Sequence, residues 1–237
     1  PVVIDIPKDI TAHICGEPRT RFAREFGDDL TPAADDAVIE TIVDRLINAE
    51  RPIFYVGGGI VTSNAADELL RVVELLQAPV TPTLMVLCGF PTAHALSLGM
   101  LGRHVTYAAN LGVSECDVLI AIGVRFDDRV TGKVAGFAPL AKVIHVDVDR
   151  AEIGKVRRPD VPIAADCRLA TEALVSGCQA LKLEAARLDS WWAKLDGWRE
   201  RFPFAYDAPE DPSNGLKPQF VVEQLRNATP DDAIVVS

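Results

Sequence analysis

The segment Val118-Leu119-Ile120-Ala121-Ile122 is apolar without alternation and closes on Gly123. Only a strand covered on both faces dispenses with the in-and-out pattern, so this segment reads as a central parallel strand. Arg125, Asp127, Asp128 and Arg129 follow within a few residues. Charges packed together at the carboxyl end of such a strand mark the place where open α/β sheets hold their ligands.

Other segments repeat this grammar. Ile53-Phe54-Tyr55-Val56 is a short strand that runs into Gly57-Gly58-Gly59 and then a helix carrying Leu69, Leu70, Val73 and Leu76. The glycines lack the order of a dinucleotide fingerprint and are compatible with either a tight turn or a ligand contact. Pro79 to Met85 reads as the next strand. Gly99 and Gly102 precede a helix from about Thr106 to Val113, where backbone N–H groups could approach a phosphate. The strand from Lys142 to Asp149 carries Asp147 near its end, where dinucleotide folds place an acid for ribose hydroxyls, whereas Asp149 reads as a cap for the turn after it. A last short strand, Val161 to Asp166, also ends in an acid, and a long helical pattern runs from Arg168 to Leu188. Strands alternating with helices predict an α/β fold with a doubly wound parallel sheet.

The flanks are of another kind. Residues 1–30 open on an apolar stretch and continue without period, as a linker does. Thr31-Pro32 forms an N-cap followed by proline at the first helical position, and Val38, Ile39, Ile42, Val43, Leu46 and Ile47 give the helix one apolar face as far as Glu50. Residues 189–218 hold a tryptophan-bearing helix that should pack on the domain or, as the less favoured reading, form an interface, then a proline-rich linker. Residues 219–237 read as a helix and a terminal strand. The compact domain is thus expected over 31–188, between pieces of preceding and following domains.

The net charge of −10 excludes a basic footprint for nucleic acid or anionic membrane. No apolar run is long enough to span a bilayer and no basic-then-apolar leader is seen, which leads to an expected cytoplasmic location. Cys15, Cys88, Cys116, Cys167 and Cys178 show no Cys-x-x-Cys pair. Reduced thiols are expected, with neither a disulfide framework nor a metal site.

The eleven residues Gly-Val-Arg-Phe-Asp-Asp-Arg-Val-Thr-Gly-Lys, Gly123 to Lys133, resemble a signature of acetohydroxyacid synthase (acetolactate synthase), a family of thiamine-diphosphate enzymes. Tyr55 to Gly59, Thr83 to Met85 and Leu98 to His104 resemble the same family at the corresponding places, and the likeness is strongest from Tyr55 to Asp166. It implies a Rossmann-like, FAD-binding middle domain, with flavin contacts on Gly58, Thr83, Leu84, Met85, Leu101, Gly102, His104, Gly123, Val124, Arg125, Phe126, Asp127, Asp147, Val148 and Asp166. Arg129 corresponds to the arginine that receives the carboxylate of the second 2-oxo acid, with Asp128 holding it in place. Thiamine diphosphate and Mg²⁺ would sit in domains outside this chain, which would therefore carry no catalytic residue and be inactive alone. The implied substrates are pyruvate and a second 2-oxo acid, and the implied assembly is a homo-oligomer that can take a regulatory subunit. Arg103 stands where the family usually has methionine, Val105 where it usually has glycine, and Ala165 where glycine is common. The alternatives are another thiamine-dependent carboligase or decarboxylase, such as glyoxylate carboligase, or a nucleotide-binding module without chemistry.

Overall fold

Strand β1 (Pro52–Val56) lies between β2 (Val80–Pro82) and β3 (Val118–Ile122), with β4 (Lys142–Asp147) and β5 (Val161–Ala164) beyond, in a computed structural model of the chain. The structure describes residues 33–87, 89–103, 105–179, 181, 183–207, 215–230 and 233–234. All four strand pairings are parallel. Every residue of β1 and β3 is buried, which explains their unbroken apolar sequence. The order β2-β1-β3-β4-β5 reverses direction between β1 and β3, and this creates a topological switch point at their carboxyl ends.

Helices cover the sheet as the doubly wound reading expects. α1 (Asp36–Asn48) buries Ile39, Ile42, Val43 and Leu46. It packs on α6 (Cys167–Gln179), which also meets α3 (Ala66–Leu76). Gly177 permits the first of these contacts, because a Cβ there would lie 2.8 Å from Val43 Cγ2. α4 (Tyr107–Glu115) packs against α7 (Asp189–Arg201), whose Trp191 and Leu195 are fully buried. The tryptophan helix therefore packs into the domain core. Trp191 donates its indole N–H to Pro52 O and Trp192 donates to Gln77 O.

Several boundaries differ from the sequence reading. Thr31 and Pro32 lie outside the described residues, and α1 starts at Asp36 under Asp35, whose carboxylate accepts from Ala37 N at 2.9 Å. The segment after Gly57 is two helices, α2 (Gly58–Thr62) and α3, because Asn64 takes a left-handed conformation between them. The strand placed at Pro79 to Met85 stops at Pro82 and gives way to a 3₁₀ turn over Leu84–Val86, with Val86 N donating to Thr83 O at 3.1 Å. The pattern from Arg168 to Leu188 breaks after Gln179, and a 3₁₀ turn at Ala185–Leu188 carries Arg187 to the ends of α1 and α3. There its guanidinium donates to Leu46 O, Ile47 O, Ala49 O and Leu76 O. α8 (Pro218–Ala228) leaves Val221, Val222 and Leu225 exposed. The expected apolar stretch at the start, and all of the expected terminal strand except Ala233 and Ile234, lie outside the described residues. Cys116, Cys167 and Cys178 are buried free thiols, while Cys15 and Cys88 lie outside the described residues.

Candidate functional site at the carboxyl edge of the sheet

Beyond the regular ladders, the strand ends are laced together by main-chain bonds. Gly57 N donates to Ile122 O at 3.0 Å, Thr83 N to Val56 O at 2.9 Å, Gly123 N to Val146 O at 2.8 Å and Ala165 N to Asp147 O at 3.1 Å. The loops that leave the sheet are thereby held in one row.

The triple glycine divides its labour. A Cβ on Gly57 would stand 2.3 Å from Gly123 O, and one on Gly59 would stand 2.6 Å from Gly123 Cα and 2.9 Å from Cys167 Sγ. These two positions allow the β1 and β3 loops to touch. Gly58 is different: a Cβ there meets only Met85 Cβ, at 3.5 Å. It is the member of the triplet that leaves room beside the exposed Leu84 and Met85. Next to them, Thr83 Oγ1 is buried without a hydrogen-bond partner.

After β3 the chain alternates sharply. Gly123 has φ +62° and Phe126 has φ +52°, with Val124 and Phe126 buried and Arg125 projecting between them, its side chain 73% exposed. Asp127 then caps α5 (Asp128–Thr131) by accepting from Arg129 N at 3.0 Å. That bond, the neighbouring Asp128 and the two arginines hold its carboxyl below the usual carboxylate range. Arg125 and Asp127 form a loose pair at 3.9 Å. Asp128 does not hold Arg129 as expected. Successive residues of a helical turn diverge, and it is Asp127 that fixes Arg129, through its main chain. The loop containing Leu101 and Gly102 lies on this turn, since a Cβ on Gly102 would be 3.4 Å from Arg129 O. Asn110 secures that loop by accepting from Gly102 N at 3.2 Å and donating to Gly102 O at 2.9 Å.

The acids occupy adjacent strand ends. Asp147 accepts from Asp149 N at 2.8 Å, and burial raises its carboxyl above the usual value. Asp149 caps its own turn through Ala151 N. Asp166 accepts from Arg168 N and Leu169 N, and so caps α6. Cys167, beside both acids, has its thiol pushed up to about 12, chiefly by burial, and is no nucleophile.

One carboxyl edge thus brings together Gly58, Thr83, Leu84, Met85, Gly123, Arg125, Asp127, Asp147, Val148 and Asp166, with the Gly102 loop and Arg129 at one side. Leu101, Val124 and Phe126 turn into the core, so only their backbones face the crevice. His104 lies outside the described residues. Asn110 and the buried His145 support this edge without having been singled out, and Gly57 and Gly59, read in sequence only as parts of one glycine run, serve the contact with Gly123. The glycines could have been assigned from the triplet only with Gly123 placed opposite, and nothing in its spacing distinguishes Asn110.

An open parallel sheet with this edge belongs to the class of α/β domains that take ligands at a switch point. Residues 39–174 match the family model described as thiamine pyrophosphate enzyme, central domain, and the chain belongs to that family. A relative from Corynebacterium glutamicum, an acetolactate synthase large subunit, is 42% identical over 237 residues, which are 99% of this chain and 37% of that protein. The Escherichia coli acetolactate synthase isozyme 3 large subunit is 36% identical over 249 residues, covering 100% of this chain and 42% of its own. The Zea mays acetolactate synthase 1, chloroplastic, is 40% identical over 242 residues, covering 99% of this chain and 36% of its own. The chain therefore spans well under half the length of these curated relatives.

Proposed function

We propose that this chain is the FAD-binding middle portion of an acetolactate synthase catalytic subunit, which joins a decarboxylated pyruvate to a second 2-oxo acid. The observation that carries the reading is the Gly123-to-Lys133 segment seated at the β1/β3 switch point, directly against the triple glycine. The three relatives named above, each an acetolactate synthase, support the same assignment.

The residues present suit a dinucleotide. Arg125 offers an exposed, planar, permanently charged donor for a pyrophosphate, and Gly58 lets that group come close to the main chain. The carboxylates of Asp147 and Asp166 suit sugar or ribityl hydroxyls. The unpartnered Thr83 hydroxyl and the exposed Leu84 and Met85 suit the flat, mixed surface of a flavin. FAD would serve as a structural element here, because decarboxylation followed by ketol condensation transfers no net electrons. Arg129 would receive the acceptor's carboxylate with its two-pronged cation. Its backbone is fixed by Asp127, which leaves the side chain free to engage a ligand.

Thiamine diphosphate and Mg²⁺ belong, in this reading, to the rest of the protein; the chain has no Gly-Asp-Gly segment. A homo-oligomer, a smaller regulatory partner and a cytoplasmic location belong to the same proposal, the partner being supported by the words "large subunit" in the relatives' names. No helix among the described residues is long and apolar enough to cross a membrane.

Titration of the full-length protein with FAD, followed by quenching of flavin fluorescence, tests the cofactor assignment, and acetolactate formation from pyruvate, thiamine diphosphate and Mg²⁺ tests the activity. Saturable binding, weakened about tenfold or more in Arg125→Ala, is the expected result. Full-length protein with no flavin response would remove the cofactor, and acetolactate made by these 237 residues alone would overturn the assignment to a middle portion.

A further inference from the structure

His145, on the inner strand β4, is completely buried. Its Nε2 lies 2.9 Å from Val124 O, and its ring forms a T-shaped pair with that of Phe126, centroids 4.9 Å apart. Val124 and Phe126 are the two neighbours of Arg125. One side chain from the adjacent strand therefore grips both flanks of the arginine that projects into the crevice.

The grip falls where the backbone needs it. Phe126 holds φ +52°, a left-handed conformation that a bulky residue keeps only when its surroundings impose it. The aromatic rings of Tyr55 and Phe137 close around Phe126 from the other sides, at 5.9 Å each. Packing alone could be supplied by leucine or phenylalanine at position 145. The bond to the Val124 carbonyl could not, and that carbonyl would then be a buried acceptor without this donor. Nδ1 has no partner, which marks the neutral tautomer with its proton on Nε2, aimed at Val124. Burial also disfavours the imidazolium, against the pull of the Asp147 and Glu152 carboxylates.

We propose that His145 is a positioning residue of the dinucleotide site: by donating to Val124 O and bracing Phe126, it fixes the turn that aims Arg125 at the pyrophosphate. This rests on the FAD reading above and goes beyond it, by assigning a function to a core residue that never touches the ligand.

The test is FAD affinity of the full-length protein, read by fluorescence quenching, in His145→Leu, His145→Phe and His145→Gln, each alone and combined with Arg125→Ala. Leucine and phenylalanine remove the donor, whereas the glutamine amide can place an N–H where Nε2 stands. The expected result is affinity about five- to tenfold weaker for Leu and Phe, recovery to within about twofold for Gln, and no further loss when Leu or Phe is added to Arg125→Ala. Unchanged affinity in Leu and Phe overturns the proposal, as does a loss that persists undiminished without Arg125. Should both apolar variants fail to fold, the unmutated protein decides through its imidazole ¹⁵N resonances. A proton on Nε2 whose signal moves on adding FAD is expected; a proton on Nδ1, or an Nε2 signal that FAD leaves in place, overturns it. Wild-type protein that binds no FAD instead defeats the cofactor reading, and this inference falls with it.

Discussion

Gly59 and Gly123 meet main chain to main chain: a Cβ added to Gly123 would lie 2.5 Å from Gly59 Cα, and one added to Gly59 would lie 2.6 Å from Gly123 Cα. Neither obstacle is a side chain that can swing away. Gly59→Ala should therefore destabilise the domain by about 1–3 kcal/mol, and Gly123→Ala by more, since it also forces alanine to φ +62°. Gly58→Ala separates fold from site. Its Cβ has room and alanine favours the first turn of α2, so stability should hold or rise by up to about 1 kcal/mol while FAD affinity falls. Urea melts alongside flavin titrations check both; equal destabilisation at Gly58 and Gly59 would contradict the division of labour.

Arg129 is exposed and its main chain is already held by Asp127. Arg129→Ala in the full-length enzyme should leave stability within about 0.5 kcal/mol of wild type. It should lower kcat/KM for the second 2-oxo acid by about tenfold to a hundredfold, the worth of one charged hydrogen-bonded contact. Single-turnover measurements of the two half-reactions distinguish this outcome from a loss shared equally by both, which would place Arg129 outside the acceptor site.

The Asp127 carboxyl is held below its usual range, first by the Arg129 N–H and then by Asp128 and the flanking arginines. A carboxylate with a depressed folded-state pKa contributes stability that is present above its unfolded value, near pH 4, and lost as pH falls through the folded value. Asp127→Asn keeps an acceptor for the cap but removes the charge. Wild type should melt higher than Asp127→Asn at pH 6, and the gap should close as pH drops below about 4. A gap of constant size across this range would show that the charge contributes nothing.

Arg187 ties together the carboxyl ends of α1 and α3 through Leu46 O, Ile47 O, Ala49 O and Leu76 O. Partial burial lowers the affinity of its guanidinium for a proton. Arg187→Met should cost about 2 kcal/mol in chemical denaturation, since the methionine stem preserves the packing and abandons the carbonyls. Flavin affinity should not change, because this cluster lies at helix ends away from the carboxyl edge of the sheet.

Local sequence determined the parts whose physics is local. A strand buried on both faces must be apolar throughout, so β1 and β3 declared themselves, as did the apolar stripe of α1 and the cluster of charges after Gly123. The likeness of Gly123 to Lys133 to a known family carried the site further than periodicity could. Tertiary structure alone decided how the groups at the carboxyl edge of the sheet are arranged. Gly57 and Gly59 serve contact with Gly123 while Gly58 stays open, a distinction invisible within a run of identical residues because it depends on what faces each one across β1 and β3. Asp127, rather than Asp128, holds Arg129, because the direction of a side chain on a short helical turn is set by where that turn begins. His145 reads in sequence as one more buried residue of a strand. Its hold on Val124 and Phe126 exists only because β4 lies beside β3 in the folded sheet, and that neighbour relation is created by crossover connections across long stretches of chain.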